Sequence, residues 1–292
     1  MVKKILISSV FLVAALSRAG VKKDFQNENI EVFNLDNTYR VALTFDDGPG
    51  KGTAKILDLL NEYNIKATFF AVAKNMKSNP ELTNRIVKEG HILANHSYDH
   101  DNLAKQVYRD HPESLLVEIE ETHKEILKYA PGLKKYYFRA PYSAWSPEHG
   151  NYLNQNSEMK KYVGPICWDV GRNIEFDGTQ VKNAADWECW SSKKYPEFKE
   201  PKKCSEGYLS KLEEYKGGVV LMHDIHAKTA DMLEILIPML IAKKYQFINL
   251  DQIPELKNYG KNLSSVKKSV SSAYSKFRGR CDTLNPNLVL SD

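Results

Sequence analysis

Short apolar runs of the kind that make buried strands alternate along this chain with stretches whose apolar residues recur every three or four positions. The first run, Val41 to Phe45, breaks at once into Asp46-Asp47-Gly48-Pro49, a turn signal. Thr53 is placed to cap a helix whose apolar face is Ile56, Leu57, Leu59 and Leu60. Ala67 to Val72 predicts a second strand. Asn79-Pro80 opens a helix through Leu82, Ile86 and Val87 that Gly90 stops, and His91 to Asn95 predicts a third strand. Asp101 to His111 is polar and predicts nothing regular. Pro112 then starts a helix over Leu115, Leu116, Ile119, Ile126 and Leu127, followed by a strand from Lys135 to Arg139. A weak helical pattern covers His149 to Lys160, and Tyr162 to Trp168 is another strand. Residues 171–211 show no regular pattern. Gly217-Gly218 lead into a strand over Val219 to Met222, a clear helix from Ala227 to Lys244 with a bend at Pro238, and a last strand from Phe247 to Leu250. No hairpin turns join these strands, so the pattern predicts repeated βα units, a mostly parallel sheet and an α/β fold.

The ends of the chain read differently. Met1-Val-Lys-Lys, an apolar run from Ile5 to Leu16 and the small residues Ser17 and Ala19 have the form of a signal peptide over residues 1–19. The run is short for a bilayer span, and no later segment looks like a transmembrane helix, so the expectation is an exported protein, periplasmic or secreted, with no membrane anchor after cleavage. Loss of Lys3, Lys4 and Arg18 would take the formal charge from +4 to +1. That balance gives no argument for nucleic-acid binding, and no glycine fingerprint of a dinucleotide or nucleotide site is present. The remainder suits one domain over 20–259. A Lys/Ser-rich extension follows over 260–292. The four cysteines are Cys167, Cys189, Cys204 and Cys281, and an oxidising compartment would allow two disulfides. Cys189 with Cys204 is the preferred pair, because it would staple the polar, lysine-rich stretch within 171–211.

Chemistry gathers at the predicted C-terminal ends of strands, where active sites assemble in parallel α/β folds. Asp46 and Asp47 follow the first strand, His96 and His100 the third, Arg139 the fourth, Asp169 the fifth and His223 the sixth. Two adjacent carboxylates at a strand end repel unless a cation, a proton or donors stand between them. Two histidines four residues apart, joined by Asp47, form a three-ligand set that leaves room for water and substrate. Zn2+ is the ordinary occupant, with Co2+, Ni2+ or Mn2+ as alternatives. Asp46 is then free to act as general base, Arg139 to hold Asp46 in place, and His223, from another strand end, to act as general acid. The Tyr142 backbone amide can face an oxyanion, Leu221 can wall an apolar pocket for a methyl group, and Trp187 offers a flat face for a sugar ring.

In order along the chain, Thr44-Phe-Asp-Asp-Gly-Pro49, His96-Ser-Tyr-Asp-His100, Arg139-Ala-Pro-Tyr142, Trp168-Asp169 and Val220-Leu-Met-His-Asp224 resemble the motifs of the polysaccharide deacetylase family, the NodB-homology or carbohydrate esterase family 4 domain. The resemblance covers about Tyr39 to Leu250. It implies a distorted (β/α) barrel with seven or so parallel strands and a metal-dependent hydrolase. By matching position it assigns Asp46 as base, Asp47, His96 and His100 as metal ligands and His223 as acid. The implied reaction removes N-acetyl groups from N-acetylglucosamine in a polymer, peptidoglycan foremost. An O-acetyl esterase on xylan or wall muramic acid and an inactive carbohydrate-binding protein are the alternatives. The implied partner is a cell-wall polysaccharide, and the enzyme is expected to be a monomer. An Asp-Trp that supports the catalytic histidine usually follows the Trp-Asp stretch closely in the family. Here Asp186-Trp187 after an insertion and Asp169 are the two candidates.

Overall fold

The computed structural model describes residues 39–253 and residue 256. The signal segment, the lead up to Asn37 and the extension over 260–292 with Cys281 lie outside the described residues.

Among the described residues nine strands form: β1 (Arg40–Asp46), β2 (Thr68–Ala71), β3 (Ile92–Asn95), β4 (Tyr136–Tyr137), β5 (Tyr162–Val163), β6 (Glu175–Phe176), β7 (Val181–Asn183), β8 (Gly217–His223) and β9 (Gln246–Ile248). The helices are α1 (Thr53–Glu62), α2 (Ala73–Ser78), α3 (Pro80–Lys88), α4 (Gln106–Asp110), α5 (Pro112–Leu127), α6 (Pro147–Leu153), α7 (Asp186–Ser191), α8 (Pro201–Tyr215) and α9 (Ala227–Ala242). The central sheet runs β3-β2-β1-β8, all parallel. β8 lies along the whole of β1, while the other edge of β1 is shared by β9 at residues 40–42 and β2 at residues 44–46.

Single backbone bridges turn this sheet into a ring. Asn95 on β3 bridges Phe138 just after β4, and β4 pairs with β5. The segment that continues from β5 then crosses over: Ile166 donates to the Phe138 carbonyl, whereas Asp169 donates to the Val219 carbonyl and Val170 bridges Val220 on β8. The result is a distorted (β/α) barrel. Closure by isolated bonds explains why β4 and β5 are two residues long where longer apolar runs predict fuller strands.

Side chains alternate across the ring as period-2 strands require. Ala42, Phe70, Ala94, Tyr137, Val163 and Val219 pack in one buried cluster inside it. Val41, Leu43, Phe45, Phe69, Leu93, Val220 and Met222 pack in the other, shared with the helices. Among the described residues no helix is long and apolar enough to cross a membrane.

Residues 171–211 are more regular than their pattern predicts. They form the antiparallel pair β6-β7, the short α7 and the start of the fifteen-residue α8. Cys204, Tyr208 and Leu212, four residues apart, give α8 a buried face against α9 and β7. That face is hard to read because Gly207 lies within it. A Cβ at Gly207 would stand 2.5 Å from the Ala184 Cβ, so the missing side chain is what lets α8 approach β7. Cys189 and Cys204 are disulfide-bonded, tying α7 to α8. The short α2 and α4, also unpredicted, are six and five residues long, too short to show a helical period. α9 continues through Pro238.

Candidate active site

The first and last turns of the barrel meet through parallel registry. Asp46 on β1 is the direct register partner of His223 on β8, and both share the inward parity of Ala42 and Val219. The two turns that follow are locked together by glycines. A Cβ at Gly48 would lie 2.1 Å from the Asp224 carboxylate, one at Gly50 2.6 Å from the Ile225 Cα, and one at Gly52 2.5 Å from the His226 carbonyl oxygen. Gly48, Gly50 and Gly52 therefore face Asp224, Ile225 and His226 in turn. Side chains there would push the turns apart by more than a packed interior tolerates.

Asp46 is held from the next sector of the ring. The Arg139 Nη1 donates to Asp46 Oδ1 at 2.7 Å and to Thr44 Oγ1 at 2.8 Å, Nε donates to the Ile166 carbonyl at 3.1 Å, and Nη2 to the Cys167 carbonyl at 3.3 Å. The guanidinium lies 4.1 Å from the centre of the Phe70 ring, a cation–π contact. Arg139 is 1% exposed and Asp46 3%. Burial pulls the guanidinium pKa down, and the Asp46 charge opposes that pull. This pair is a desolvated, oriented ion pair whose directional bonds fix one carboxylate oxygen and leave the other facing the centre.

Asp47, His96 and His100 converge beside it. Asp47 takes a left-handed backbone (φ 74°), its N–H donates to the Phe70 carbonyl, and its carbonyl accepts from Asn75 Nδ2. Its Oδ1 stands 3.3 Å from His96 Nε2 and 3.0 Å from His100 Nε2. One ligand atom from each of the three residues lies within 4.8 Å of the others. The His96 Nδ1 lies 2.8 Å from the Arg139 carbonyl oxygen, which can only accept, so Nδ1 carries the proton and Nε2 presents a lone pair. A lone pair facing a buried carboxylate oxygen that has no hydrogen-bond donor of its own is a set that fits a divalent cation.

His223 is fixed from behind. Its Nδ1 lies 2.8 Å from Asp186 Oδ1 and its backbone N–H donates to Asp186 Oδ2 at 2.7 Å. Thr229 Oγ1 donates to the same Oδ2 at 2.7 Å, and Trp190 Nε1 donates to Thr229 Oγ1 at 3.1 Å. The Asp186 N–H donates to the Tyr208 hydroxyl, which itself donates to the Leu221 carbonyl. Burial alone would lower the His223 pKa. The Asp186 carboxylate, with Asp47 and Asp46 adding to it, instead raises it to about 10, so the imidazole is a cation at neutral pH.

Of the two candidates for the partner of His223, the structure brings Asp186 and excludes Asp169. Asp169 Oδ2 accepts the Val219 N–H at 2.8 Å and so braces the base of β8, four residues below His223. Crossing of the 162–170 segment to β8 puts it there. Tyr142 sits in a left-handed backbone (φ 56°), exposed, with its ring centre 4.6 Å from that of the His100 ring in an edge-on contact. Leu221 is buried with inward parity, one step below His223. Trp187 is half-buried on α7 and its backbone N–H donates to Asp186 Oδ1. Trp190, not Trp187, lines the cavity beside the site, because its indole is drawn in by Thr229.

Asp224 closes the Val220–Asp224 motif, but its sequence position gives it no role. It is 1% exposed, accepts from Thr53 Oγ1 at 2.5 Å, and burial pushes its pKa up to about 7, with Asp47 and Asp46 adding to the rise. Thr229 and Tyr208 carry no motif; only their contacts reveal them.

The polysaccharide deacetylase family profile matches residues 36–158. A peptidoglycan-N-acetylglucosamine deacetylase of Bacillus cereus is 44% identical over 219 residues, covering 73% of this chain and 68% of that protein. A peptidoglycan-N-acetylglucosamine deacetylase of Listeria monocytogenes is 30% identical over 247 residues, 82% of this chain, and the chain spans only 42% of that relative's length. Among solved structures, a peptidoglycan deacetylase from Bacillus subtilis superposes with a TM-score of 0.54 at 28% identity, over 75% of this chain and 91% of that one. Two-thirds coverage of the Bacillus cereus protein at that identity, with the motif residues gathered at one end of the barrel, decides the assignment: this chain belongs to the polysaccharide deacetylase family.

Proposed function

We propose that this protein is an exported, zinc-dependent deacetylase that hydrolyses the N-acetyl amide of N-acetylglucosamine in peptidoglycan. The observation that carries the reading is the registry of Asp46 with His223 across β1 and β8, directly beside the Asp47, His96 and His100 set. The relatives' names support the substrate, and the form of the first nineteen residues supports export.

Asp47, His96 and His100 would hold the cation, which when bound supplies Lewis acidity toward water and the acetyl carbonyl. The chain's own groups do the proton chemistry. Asp46, oriented by Arg139, takes a proton from the attacking water as the water oxygen bonds to the acetyl carbon. The C–N bond then breaks while protonated His223 gives its proton to the departing sugar nitrogen, leaving a free amine and acetate. Asp186 holds the His223 ring in the one tautomer and orientation that aim Nε2 inward, as the third member of a triad does.

The test is mass spectrometry of peptidoglycan fragments and N-acetylglucosamine oligomers incubated with the zinc-loaded protein, with an O-acetylated xylan oligomer alongside. The expected outcome is loss of acetyl from the amides, abolished by a chelator and restored by zinc. Intact amides with deacetylated xylan would move the assignment to an esterase.

A pH profile reads the Asp186–His223 pair separately. The acid is present below its raised pKa and is lost as pH rises through it, so the alkaline limb of kcat/KM reports His223. Asp186→Asn removes the strongest opponent of burial, and burial favours the neutral ring. The limb is expected to move to lower pH by roughly one unit or more. An unmoved limb would show that Asp186 does not set the acid.

A further inference from the structure

A cavity of about 310 Å³ opens beside His223, lined by Lys51, Trp190, Ile225, His226, Ala227 and Lys228. Its walls come from four parts of the fold: the glycine turn after β1, the turn after β8, the start of α9, and the disulfide-tied α7. It lies near the acid. The His226 ring lies 6.5 Å from the His223 ring, and Trp190 reaches His223 through Thr229 and Asp186 by three hydrogen bonds.

The charged side chains that line it are two lysines without a carboxylate partner. Lys51 forms no ion pair among the described residues, since the acids of α9 nearest that turn, Asp231 and Glu234, are taken by Lys55. Lys228 donates to the Lys199 carbonyl and lies 5.8 Å over the Trp190 ring, so it too has no carboxylate partner. Asp186 is committed to His223 and Thr229, and Asp47 to the two histidines. His226 is half-buried and burial lowers its pKa, so at neutral pH it offers an N–H without further charge. Two cations, a neutral donor and the apolar surfaces of Ile225 and Trp190 are complementary to a carboxylate that sits next to a methyl group.

We propose that this cavity is a specificity pocket for the acidic side arm of the sugar that neighbours the one being deacetylated. The inference rests on the peptidoglycan reading above. In that polymer N-acetylglucosamine alternates with a sugar carrying a 3-O-lactyl ether, a methyl and a carboxyl on one carbon. The carboxylate is either the free lactyl group or belongs to the peptide attached through it, and the chemistry recognised is the same. A chitin-like polymer offers no such group, so the pocket separates the two substrates.

Three tetrasaccharides of the alternating type distinguish the cases: one with free lactyl carboxylates, one with those groups as methyl esters, and one carrying stem peptides. Wild-type kcat/KM is expected to favour the free acid over the ester about fivefold, the ~1 kcal/mol at the top of the range for an exposed ion pair. The preference is expected to collapse in Lys51→Gln/Lys228→Gln and to shrink at high salt. A gain confined to the peptide-bearing fragment assigns the anion to the peptide and equally supports the pocket. Equal use of all three by the wild type, or a preference that survives in the double variant, overturns it. Calorimetric binding of the same fragments tests the pocket by itself, so a protein that deacetylates none of them would refute the activity and leave the pocket to be judged by the acid-to-ester ratio in binding.

Discussion

Asp46→Asn is expected to lower kcat on N-acetylglucosamine oligomers by about a thousandfold while the protein still binds one zinc. The size follows from the usual contribution of a positioned general base, roughly 10²- to 10⁴-fold. The substitution leaves size and packing nearly unchanged and removes the proton acceptor. Asn can still accept one bond from Arg139, so the wall of the site is expected to keep its shape. Asp47, His96 and His100 are untouched, and their convergence around one point is independent of Asp46. Metal content measured alongside turnover separates the two roles of the adjacent carboxylates: Asp46→Asn keeps the metal and loses rate, whereas Asp47→Ala loses both. Retention of more than about a tenth of wild-type kcat in Asp46→Asn would remove Asp46 from the role of base.

Arg139→Met is expected to destabilise the fold by roughly 3–5 kcal/mol, the cost of leaving one partner of a buried pair behind. Arg139 is the largest fully buried side chain among the described residues, and its guanidinium makes four hydrogen bonds, to a carboxylate, a hydroxyl and two carbonyls. Methionine can fill much of the space against Phe70 but satisfies none of these acceptors. At about 2–4 °C per kcal/mol for a domain of this size, the melting temperature should fall by roughly 10 °C. The double variant Arg139→Met/Asp46→Asn is expected to recover a large part of that loss, because the uncompensated charge is then gone. A single-variant loss under about 1 kcal/mol would place the pair with surface ion pairs and contradict its burial.

The double variant also shows why this arginine could be named from sequence but not weighed. Its place after an apolar strand marks it as a strand-end residue. Whether it pairs with a carboxylate ninety-three positions away, in water or in a dry interior, depends on how the ring closes. Closure runs through single bridges at Phe138, Ile166 and Val170, and these leave no periodic trace in the chain.

Local patterns determined much of this protein by themselves. Period-2 apolar runs ending in Asp46-Asp47, His96, Arg139 and His223 put the reactive groups at one end of a parallel α/β sheet, because parallel strands joined by helices share one direction. The spacing of His96 and His100 and the adjacency of Asp46 and Asp47 suffice to name a base and a ligand set, since those relations are short-range. The tertiary structure decided what depends on distant contacts. It chose Asp186 over Asp169 because the insertion folds back through α7 while the 162–170 segment swings under β8. It revealed α8 because a helix interrupted by Gly207 is stabilised by its fit to Ala184 and Val181 rather than by its own pattern. It also put Trp190, Lys51 and His226 around one cavity beside the acid, a grouping that only the packing of two glycine-locked turns against α7 and α9 creates.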